Sequence, residues 1–192
     1  MRNAEIDRRT KETHIQVSVK LDGKGSAVTQ TGIRFLDHIL NSLATHSFID
    51  LEVKAEGDLQ HHVVEDVALA LGSALNKALG DRNGIRRFGY SIVPMDDALA
   101  LAAVDLIRRP FASVQLQVER TMLEDTPRED LEHILPSLST ALEATVHVKV
   151  LEGRNDHHKV EAAFKAFAMA LGSAIAMDPR RSQQVPSSKG VM

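Results

Sequence analysis

The chain has 192 residues, a formal net charge of −3 with neutral histidines, and 43% hydrophobic and 26% charged residues. This length allows one substantial hydrophobic core, and the composition is that of an ordinary globular protein, so neither a basic nucleic-acid surface nor a membrane-spanning segment is expected. The sequence contains no cysteine, which excludes disulfides and thiolate chemistry. Together with an N-terminal stretch that lacks the signal-peptide pattern, this favours a cytoplasmic protein.

The first half of the chain alternates between strand and helix patterns. Its predicted strands are residues 13–20, 27–31 and 49–55, and residues 35–46 are a predicted helix. A longer helix is predicted over residues 61–79 and ends at Gly80, a residue type that commonly terminates helices. This half is therefore expected to run strand, strand, helix, strand, helix.

The second half repeats this order with one additional strand. Its predicted strands are 91–95, 99–106, 111–118 and 145–151, its predicted helices are 131–144 and 157–177, and 121–130 is a predicted loop. Two such units, each covering one sheet face with helices, predict one compact α+β domain in which sheets are layered against helices. The expected boundaries are 1–87 and 88–177 for the two halves and 178–192 for a C-terminal tail.

A His-His-x-x-Glu motif opens the last helix of each half. HHVVE at residues 61–65 returns as HHKVE at 157–161, and DHILNSLAT at 37–45 returns as EHILPSLST at 132–140. Residues three or four apart in a helix share a face, whereas adjacent residues diverge by about 100° around the axis. The adjacent histidines therefore fit two metal sites, each taking one imidazole, better than one shared site.

Eight potential ligands are preserved in both copies while their neighbours differ, which predicts two metal ions related by an approximate twofold axis. They are His38, His61, His62, Glu65, His133, His157, His158 and Glu161. Imidazole with carboxylate and no sulfur suits manganese, iron, cobalt, nickel or zinc, and open octahedral positions favour manganese over a closed tetrahedral zinc site. For any single histidine, the alternative is a solvated helix start or a hydrogen-bonded core residue.

Other side chains carry weaker signals. His46 has no counterpart in the second half, and it is compatible with a site residue or with a helix-end cap. The pairs Arg86-Arg87 and Arg108-Arg109 could hold an anionic substrate bidentately or be solvated surface charges. The tail segment 187–190 could wrap a phosphate with hydroxyls, amides and an ammonium, or it could be disordered.

Several segments, in chain order, carry a family resemblance. They are RTKET at 9–13, DHIL at 37–40, the two HHxxE helices, PMDDA at 94–98, GRNDHH at 153–158 and SSKG at 187–190. Together they resemble the imidazoleglycerol-phosphate dehydratases of histidine biosynthesis over essentially the whole chain. The resemblance implies internally duplicated ββαβα-type halves of the ribosomal protein S5 domain 2 type. It also implies a hydro-lyase that converts D-erythro-imidazole-glycerol phosphate into imidazole-acetol phosphate.

The resemblance also implies cofactors, partners and site residues. It implies two Mn²⁺ sites per subunit, bound by the eight candidates above and built between subunits of a 24-chain cubic assembly. By position, the implied substrate contacts are Glu12, His46, Arg87, Arg109, Lys165, Ser187, Ser188 and Lys189. The arginines and the tail would hold the phosphate, and the tail would close the site. Glu12 is the first candidate for acid–base catalysis and His46 is the second.

One segment departs from the family pattern. The approach to the first histidine pair, residues 58–60, is shorter than in many members, which are also more acidic there. A histidine that binds a metal usually donates its other ring nitrogen to a carboxylate or carbonyl. The departure therefore concerns the partner of His61 or His62 and leaves the ligands themselves unchanged.

Two other classes of function are compatible with a paired metal site. A dinuclear phosphate-ester hydrolase would use bridging aspartates, which the eight candidates do not include. A non-catalytic metal-binding or storage assembly would not need the arginines or the Ser-Ser-Lys tail, so binding of a phosphorylated small molecule distinguishes it. No nucleic acid or membrane partner is expected.

Overall fold

A computed structural model describes residues 2–181 and 184–190. Residue 1 of the predicted first half and residues 182, 183, 191 and 192 of the predicted tail lie outside the described residues. In chain order the elements are β1 (Asn3–Arg9), β2 (Thr13–Lys20), β3 (Ala27–Gln30), α1 (Arg34–Ser47), β4 (Asp50–Gly57), α2 (Gln60–Leu79), β5 (Phe88–Met95), β6 (Ala98–Asp105), β7 (Phe111–Gln115), β8 (Met122–Leu123), β9 (Thr126–Pro127), α3 (Arg128–Leu142), β10 (Thr145–Glu152) and α4 (Asp156–Ile175).

Two four-stranded sheets share one arrangement of strands. Their orders are β1-β2-β4-β3 and β5-β6-β10-β7. In each sheet the last pair of strands is parallel, and the other neighbours are antiparallel. The matching order and directions confirm the predicted α+β fold with internally duplicated halves.

β1 was not among the predicted elements, so the first half was predicted to have one strand fewer than the second. With β1 included, each half contributes four strands to its own sheet. Only Ala4 is buried in β1, and Ile6 is half-buried, so the strand has a weak apolar pattern of its own. It nevertheless pairs with β2 along its whole length, from Asn3 opposite Lys20 to Arg9 opposite His14. Pairing with a strongly patterned neighbour, rather than local sequence, makes this segment an edge strand.

The connection before α3 also differs from the predicted loop. It contains the short hairpin of β8 and β9, and α3 begins three residues earlier than the predicted start at 131. Oδ2 and Oδ1 of Asp125, in the turn of this hairpin, accept the backbone N–H groups of Arg34 and Phe35 at 2.8 and 3.0 Å. The hairpin therefore supplies hydrogen-bond acceptors to the first turn of α1, whose own N-cap is Ile33.

The helices of the two halves pack across each other. α2 covers the sheet of the first half and contacts α3, while α4 covers the sheet of the second half and contacts α1. A Cβ atom at Gly72 would lie 2.5 Å from the carbonyl oxygen of Leu138, and one at Gly172 would lie 2.8 Å from that of Ser47. The repeated glycines thus allow close helix crossings, which bring the histidine of one half to the motif of the other. No helix in the described residues is long and apolar enough to cross a membrane.

Candidate metal centre and substrate site

The first cluster of predicted ligands lies where α1 meets α4. Nε2 of His38 is 3.5 Å from Oε2 of Glu161, and Nε2 of His157 is 3.3 Å from the same oxygen. One ligand atom from each of the three residues lies within 4.8 Å of the others. The ring of Phe35 lies 6.1 Å from that of His38 and 5.2 Å from that of His157, measured between centroids. The three side chains are close enough to share one metal ion.

A second cluster of the same composition lies where α3 meets α2. Nε2 of His133 is 3.3 Å from Oε1 of Glu65. The imidazole of His61 stacks on that of His133, with 5.9 Å between centroids and 10° between planes. The cluster is looser than the first, because the described residues contain only one trio of ligand atoms within 4.8 Å of one another. The two clusters reproduce the pairing across halves that the duplication implies.

The second histidine of each pair lies among acidic groups and joins neither cluster. Nδ1 of His62 is 2.8 Å from Oδ1 of Asp58, and Nδ1 of His158 is 2.6 Å from Oδ1 of Asp97. Among the described residues, no trio of close ligand atoms includes His62 or His158. Each cluster of one chain therefore contains two imidazoles and one carboxylate. The imidazoles of His62 and His158 lie outside both clusters.

All four histidines of the HHxxE motifs place Nδ1 beside a carboxylate. The pairs are His61 with Asp130 at 2.6 Å, His62 with Asp58 at 2.8 Å, His157 with Glu124 at 3.2 Å and His158 with Asp97 at 2.6 Å. A carboxylate on Nδ1 favours the tautomer with its proton on that nitrogen, which leaves Nε2 free to bind a metal. The donor set therefore fits divalent transition metals.

These carboxylates were not assigned from the sequence. Asp130 and Glu124 belong to the second half and reach histidines through the packing of α3 and the β8–β9 hairpin, which the sequence does not specify. Asp97 lies within the PMDDA segment, and Asp58 lies within the short approach to the first pair. The hydrogen bond with Asp130 raises the pKa of His61, and the hydrogen bond with Asp58 raises the pKa of His62.

Lys165 and His46 lie near the first cluster. Nζ of Lys165 is 2.8 Å from Oε1 of Glu161. Burial raises the pKa of Glu161, but the hydrogen bond and charge of Lys165 outweigh this and hold it below its ordinary value. Burial lowers the pKa of His46, and the positive charge of Lys165 lowers it further. Burial and the ammonium of Lys165 therefore favour the neutral form of the His46 imidazole.

The predicted phosphate-binding residues line a cavity of ≈ 340 Å³ beside the tail. Its lining includes Arg87, Arg109, Ser187, Ser188 and Lys189. Nε and Nη2 of Arg87 donate to Asp105 at 2.7 and 3.0 Å, and Nη1 donates to the carbonyl of Pro186 at 2.9 Å. Arg87 thus ties the tail to the second sheet. With Arg108, which also lines the cavity, four cationic side chains and two hydroxyls surround it.

Glu12 lies apart from the first cluster, in the turn between β1 and β2. Its Oε2 is 3.9 Å from Nδ1 of His62, and its side chain is 57% exposed. The predicted substrate contacts therefore form three groups in one chain. Glu12 is near His62, Lys165 and His46 are near the first cluster, and the arginines and tail line the cavity.

Comparisons with known proteins agree on one family. The family model described as imidazoleglycerol-phosphate dehydratase matches residues 31–171. A dehydratase of that name from Chlorobium phaeovibrioides is 46% identical and aligns over 99% of this chain and 95% of its own length. One from Methanothermobacter thermautotrophicus is also 46% identical, over 99% of this chain and 97% of its own.

A solved structure gives the same result in three dimensions. The IGPD from Pyrococcus furiosus, in complex with (S)-C348, superposes with a TM-score of 0.85 at 37% identity, covering 97% of this chain and 100% of its own. Its coverage includes both halves of the duplicated fold. The family match and the full-length relatives together show that this chain belongs to the imidazoleglycerol-phosphate dehydratases, which are hydro-lyases of histidine biosynthesis.

Proposed function

We propose that the chain catalyses the Mn²⁺-dependent dehydration of D-erythro-imidazole-glycerol phosphate to imidazole-acetol phosphate. The observation that carries the metal dependence is the pair of matching clusters, His38 with His157 and Glu161, and His133 with Glu65 and His61. A solvated helix N-terminus would not require two such clusters of nitrogen and oxygen donors. The carboxylates beside Nδ1 of His61 and of His157 support metal binding through Nε2 of these two residues.

Two Mn²⁺ sites per subunit are part of this proposal. The eight ligands are His38, His61, His62, Glu65, His133, His157, His158 and Glu161. When bound, Mn²⁺ would supply Lewis-acid polarisation of the imidazole ring of the substrate. The carboxylates on Nδ1 orient the histidines before the metal arrives, and Lys165 holds the carboxylate of Glu161 ionised.

The proposal includes completion of each metal site by a neighbouring subunit, in a 24-subunit cubic assembly. It is supported by His62 and His158, which join neither cluster of their own chain but present imidazoles that are held by Asp58 and Asp97. A ligand from a second chain would bring each trio to three nitrogens and one oxygen. Assembly would then be a condition for metal binding.

An apolar outer sheet face supports self-association. Phe88, Tyr90 and Ile92 alternate along β5, so they share one face of the sheet, and all three are exposed, Tyr90 to 82%. Exposed apolar patches of this kind mark interaction surfaces. The outer face of the first sheet instead carries polar groups that bond one another, including Gln16 with Asp7.

The substrate phosphate is proposed to bind in the cavity lined by Arg87, Arg109 and the Ser187-Ser188-Lys189 segment. In this proposal the two halves, 1–87 and 88–177, form the scaffold, and the tail 178–192 closes the site. Guanidinium forks match the geometry of phosphate oxygens, and the ammonium of Lys189 adds a further charge. The proposed location is the cytoplasm, in keeping with a small phosphorylated substrate.

Glu12 is proposed as the acid–base group that touches the substrate, with His46 as the second candidate. The reaction removes a proton from carbon and a hydroxyl from its neighbour, so a positioned group must exchange protons with both. Glu12 is exposed and lies 3.9 Å from the imidazole of His62, at which a metal ion is proposed to bind. Burial lowers the pKa of His46 and favours its neutral form, in which the imidazole can accept a proton.

The decisive experiment is to incubate the metal-loaded protein with D-erythro-imidazole-glycerol phosphate and to measure formation of the ketone. Glu12→Gln should retain both metal ions and lose most turnover, because the amide cannot exchange the proton. If Glu12→Gln turns over normally, His46 becomes the first candidate. Metal-loaded protein that binds phosphorylated ligands but forms no ketone would refute the proposed reaction.

A further inference from the structure

Each half of the chain places a carboxylate on the turn between its first two strands. Glu12 directly precedes β2 and Asp97 directly precedes β6, so the two are counterparts in the duplicated fold. Both lie beside the second histidine of their own half. Oδ1 of Asp97 is 2.6 Å from Nδ1 of His158, whereas Oε2 of Glu12 is 3.9 Å from Nδ1 of His62. The two turns therefore place a carboxylate at the same position, but only the carboxylate of Asp97 is within hydrogen-bond distance of its histidine.

In the second half, the carboxylate is fully engaged. Besides His158, Asp97 accepts the backbone N–H groups of Arg154 and Asn155 on Oδ2, at 2.5 and 3.0 Å. The hydrogen bond with His158, followed by these two, holds the pKa of Asp97 well below its ordinary value. Asp97 thus joins the turn to the start of α4, and both of its carboxylate oxygens are hydrogen-bonded.

In the first half, a different residue takes this role. Oδ1 of Asp58 is 2.8 Å from Nδ1 of His62, four residues further along the chain. The backbone N–H of Asp58 donates to the carbonyl of Glu12 at 3.0 Å, so Asp58 also contacts the turn. The carboxylate of Glu12 makes no hydrogen bond to another side chain or backbone group among residues 2–181 and 184–190. Asp58 therefore binds Nδ1 of His62, and the carboxylate of Glu12 stays available for another partner.

The turn that carries Glu12 has an anchor that the other turn lacks. The hydroxyl of Thr13 donates to the buried carboxylate of Asp66, which follows the proposed ligand Glu65 on α2. The corresponding positions in the second half are Ala98 and Ala162, which have no polar side-chain atoms. The backbone on either side of Glu12 is thus fixed while its side chain is left unbonded.

We propose that Asp58 is a positioning residue, which keeps Glu12 available for the reaction by occupying the imidazole of His62. This rests on the acid–base role proposed above for Glu12. Without Asp58, the carboxylate of Glu12 is the nearest remaining acceptor for Nδ1 of His62. It would then bind this imidazole as Asp97 binds His158, and it would be withdrawn from the substrate.

The test combines turnover with Mn²⁺ affinity, measured by titrating the metal-free protein, for Asp58→Ala, Glu12→Gln and the double variant. Asp58→Ala should lower turnover to about the level of Glu12→Gln while Mn²⁺ affinity stays close to wild type, because Glu12 replaces the lost partner. In the double variant turnover should fall no further. Mn²⁺ affinity should then fall by about tenfold or more, because no carboxylate remains beside Nδ1 of His62.

Two further variants separate positioning from general damage. Asp58→Asn keeps an acceptor for Nδ1 and should retain most turnover, and Glu56→Ala removes a nearby exposed charge and should change neither quantity. Normal turnover in Asp58→Ala, turnover losses that multiply in the double variant, or wild-type Mn²⁺ affinity in the double variant would each overturn the proposal. If Glu12→Gln alone turns over normally, the acid–base assignment fails, whereas the Mn²⁺ titrations still test the exchange of partners.

Discussion

Gly72 of α2 lies against α3 so closely that a Cβ atom would stand 2.5 Å from the carbonyl oxygen of Leu138. This contact joins a helix of the first half to a helix of the second, and it lies on the same two helices as the cluster of Glu65 and His133. Helix separation here therefore sets the distance between the proposed ligands. A methyl group at this position would push the two backbones apart.

Gly72→Ala should lower the free energy of unfolding by about 1–3 kcal/mol, the usual cost of overpacking a tight contact. Gly172→Ala, at the matching crossing of α4 with Ser47, should behave in the same way. Ser73→Ala on the same helix is the control and should have a small effect. Urea unfolding measures all three, and a Gly72→Ala protein as stable as wild type would contradict the close crossing.

The duplication singles out the candidate ligands, since eight side chains recur across the two copies. The hydrogen-bond partners of those candidates were not predictable from the same pattern. Asp130 reaches His61 from the other half of the chain, and that approach depends on how α3 packs on α2. In the same way, β1 is a strand because β2 pairs with it, not because its own residues alternate strongly. Both features depend on contacts between segments that are distant in the sequence, which a local sequence pattern does not specify.

Asp130→Ala should weaken Mn²⁺ binding by about tenfold or more, because His61 loses the acceptor that orients its ring. The carboxylate of Asp130 is 2% exposed on its side chain and lies 2.6 Å from Nδ1 of His61. Glu129→Ala, at the adjacent exposed position, is the matched control and should bind Mn²⁺ like wild type. Titration of the metal-free proteins measures the difference, and equal affinities would refute the orienting role.

Tyr90→Glu should break the assembly into smaller species and reduce Mn²⁺ binding with it. A charge on the apolar face of β5 would have to be desolvated at an interface, which is costly without a partner. Val28→Glu, on an exposed position of the first sheet, is the control and should leave the assembly intact. Size-exclusion chromatography with light scattering measures the mass. An intact Tyr90→Glu assembly would show that this face is not the contact.

Arg87→Lys should raise KM for the phosphorylated substrate while Mn²⁺ content stays unchanged. A lysine cannot reproduce the two hydrogen bonds to Asp105 together with the one to Pro186. The tail would lose this attachment, and the cavity would lose its fixed guanidinium. Arg86→Lys, an exposed neighbour, should keep the wild-type KM. Steady-state kinetics at saturating Mn²⁺ provides the measurement, and an unchanged KM for Arg87→Lys would count against this cavity as the phosphate site.

Lys165→Met should raise the pKa of His46. Burial and the charge of Lys165 both lower that pKa, and removing the cation makes protonation easier. The titration midpoint of His46 should therefore rise towards the ordinary value of 6.5, while burial still holds it below that value. Histidine hydrogen–deuterium exchange, followed by mass spectrometry across a pH series, reports this midpoint for each histidine. Lys149→Met, a change of the same charge on an exposed face of β10, should leave it unchanged. A titration midpoint of His46 that falls or stays fixed in Lys165→Met would show that the ammonium does not act on His46. Burial alone would then account for the lowered pKa of this imidazole.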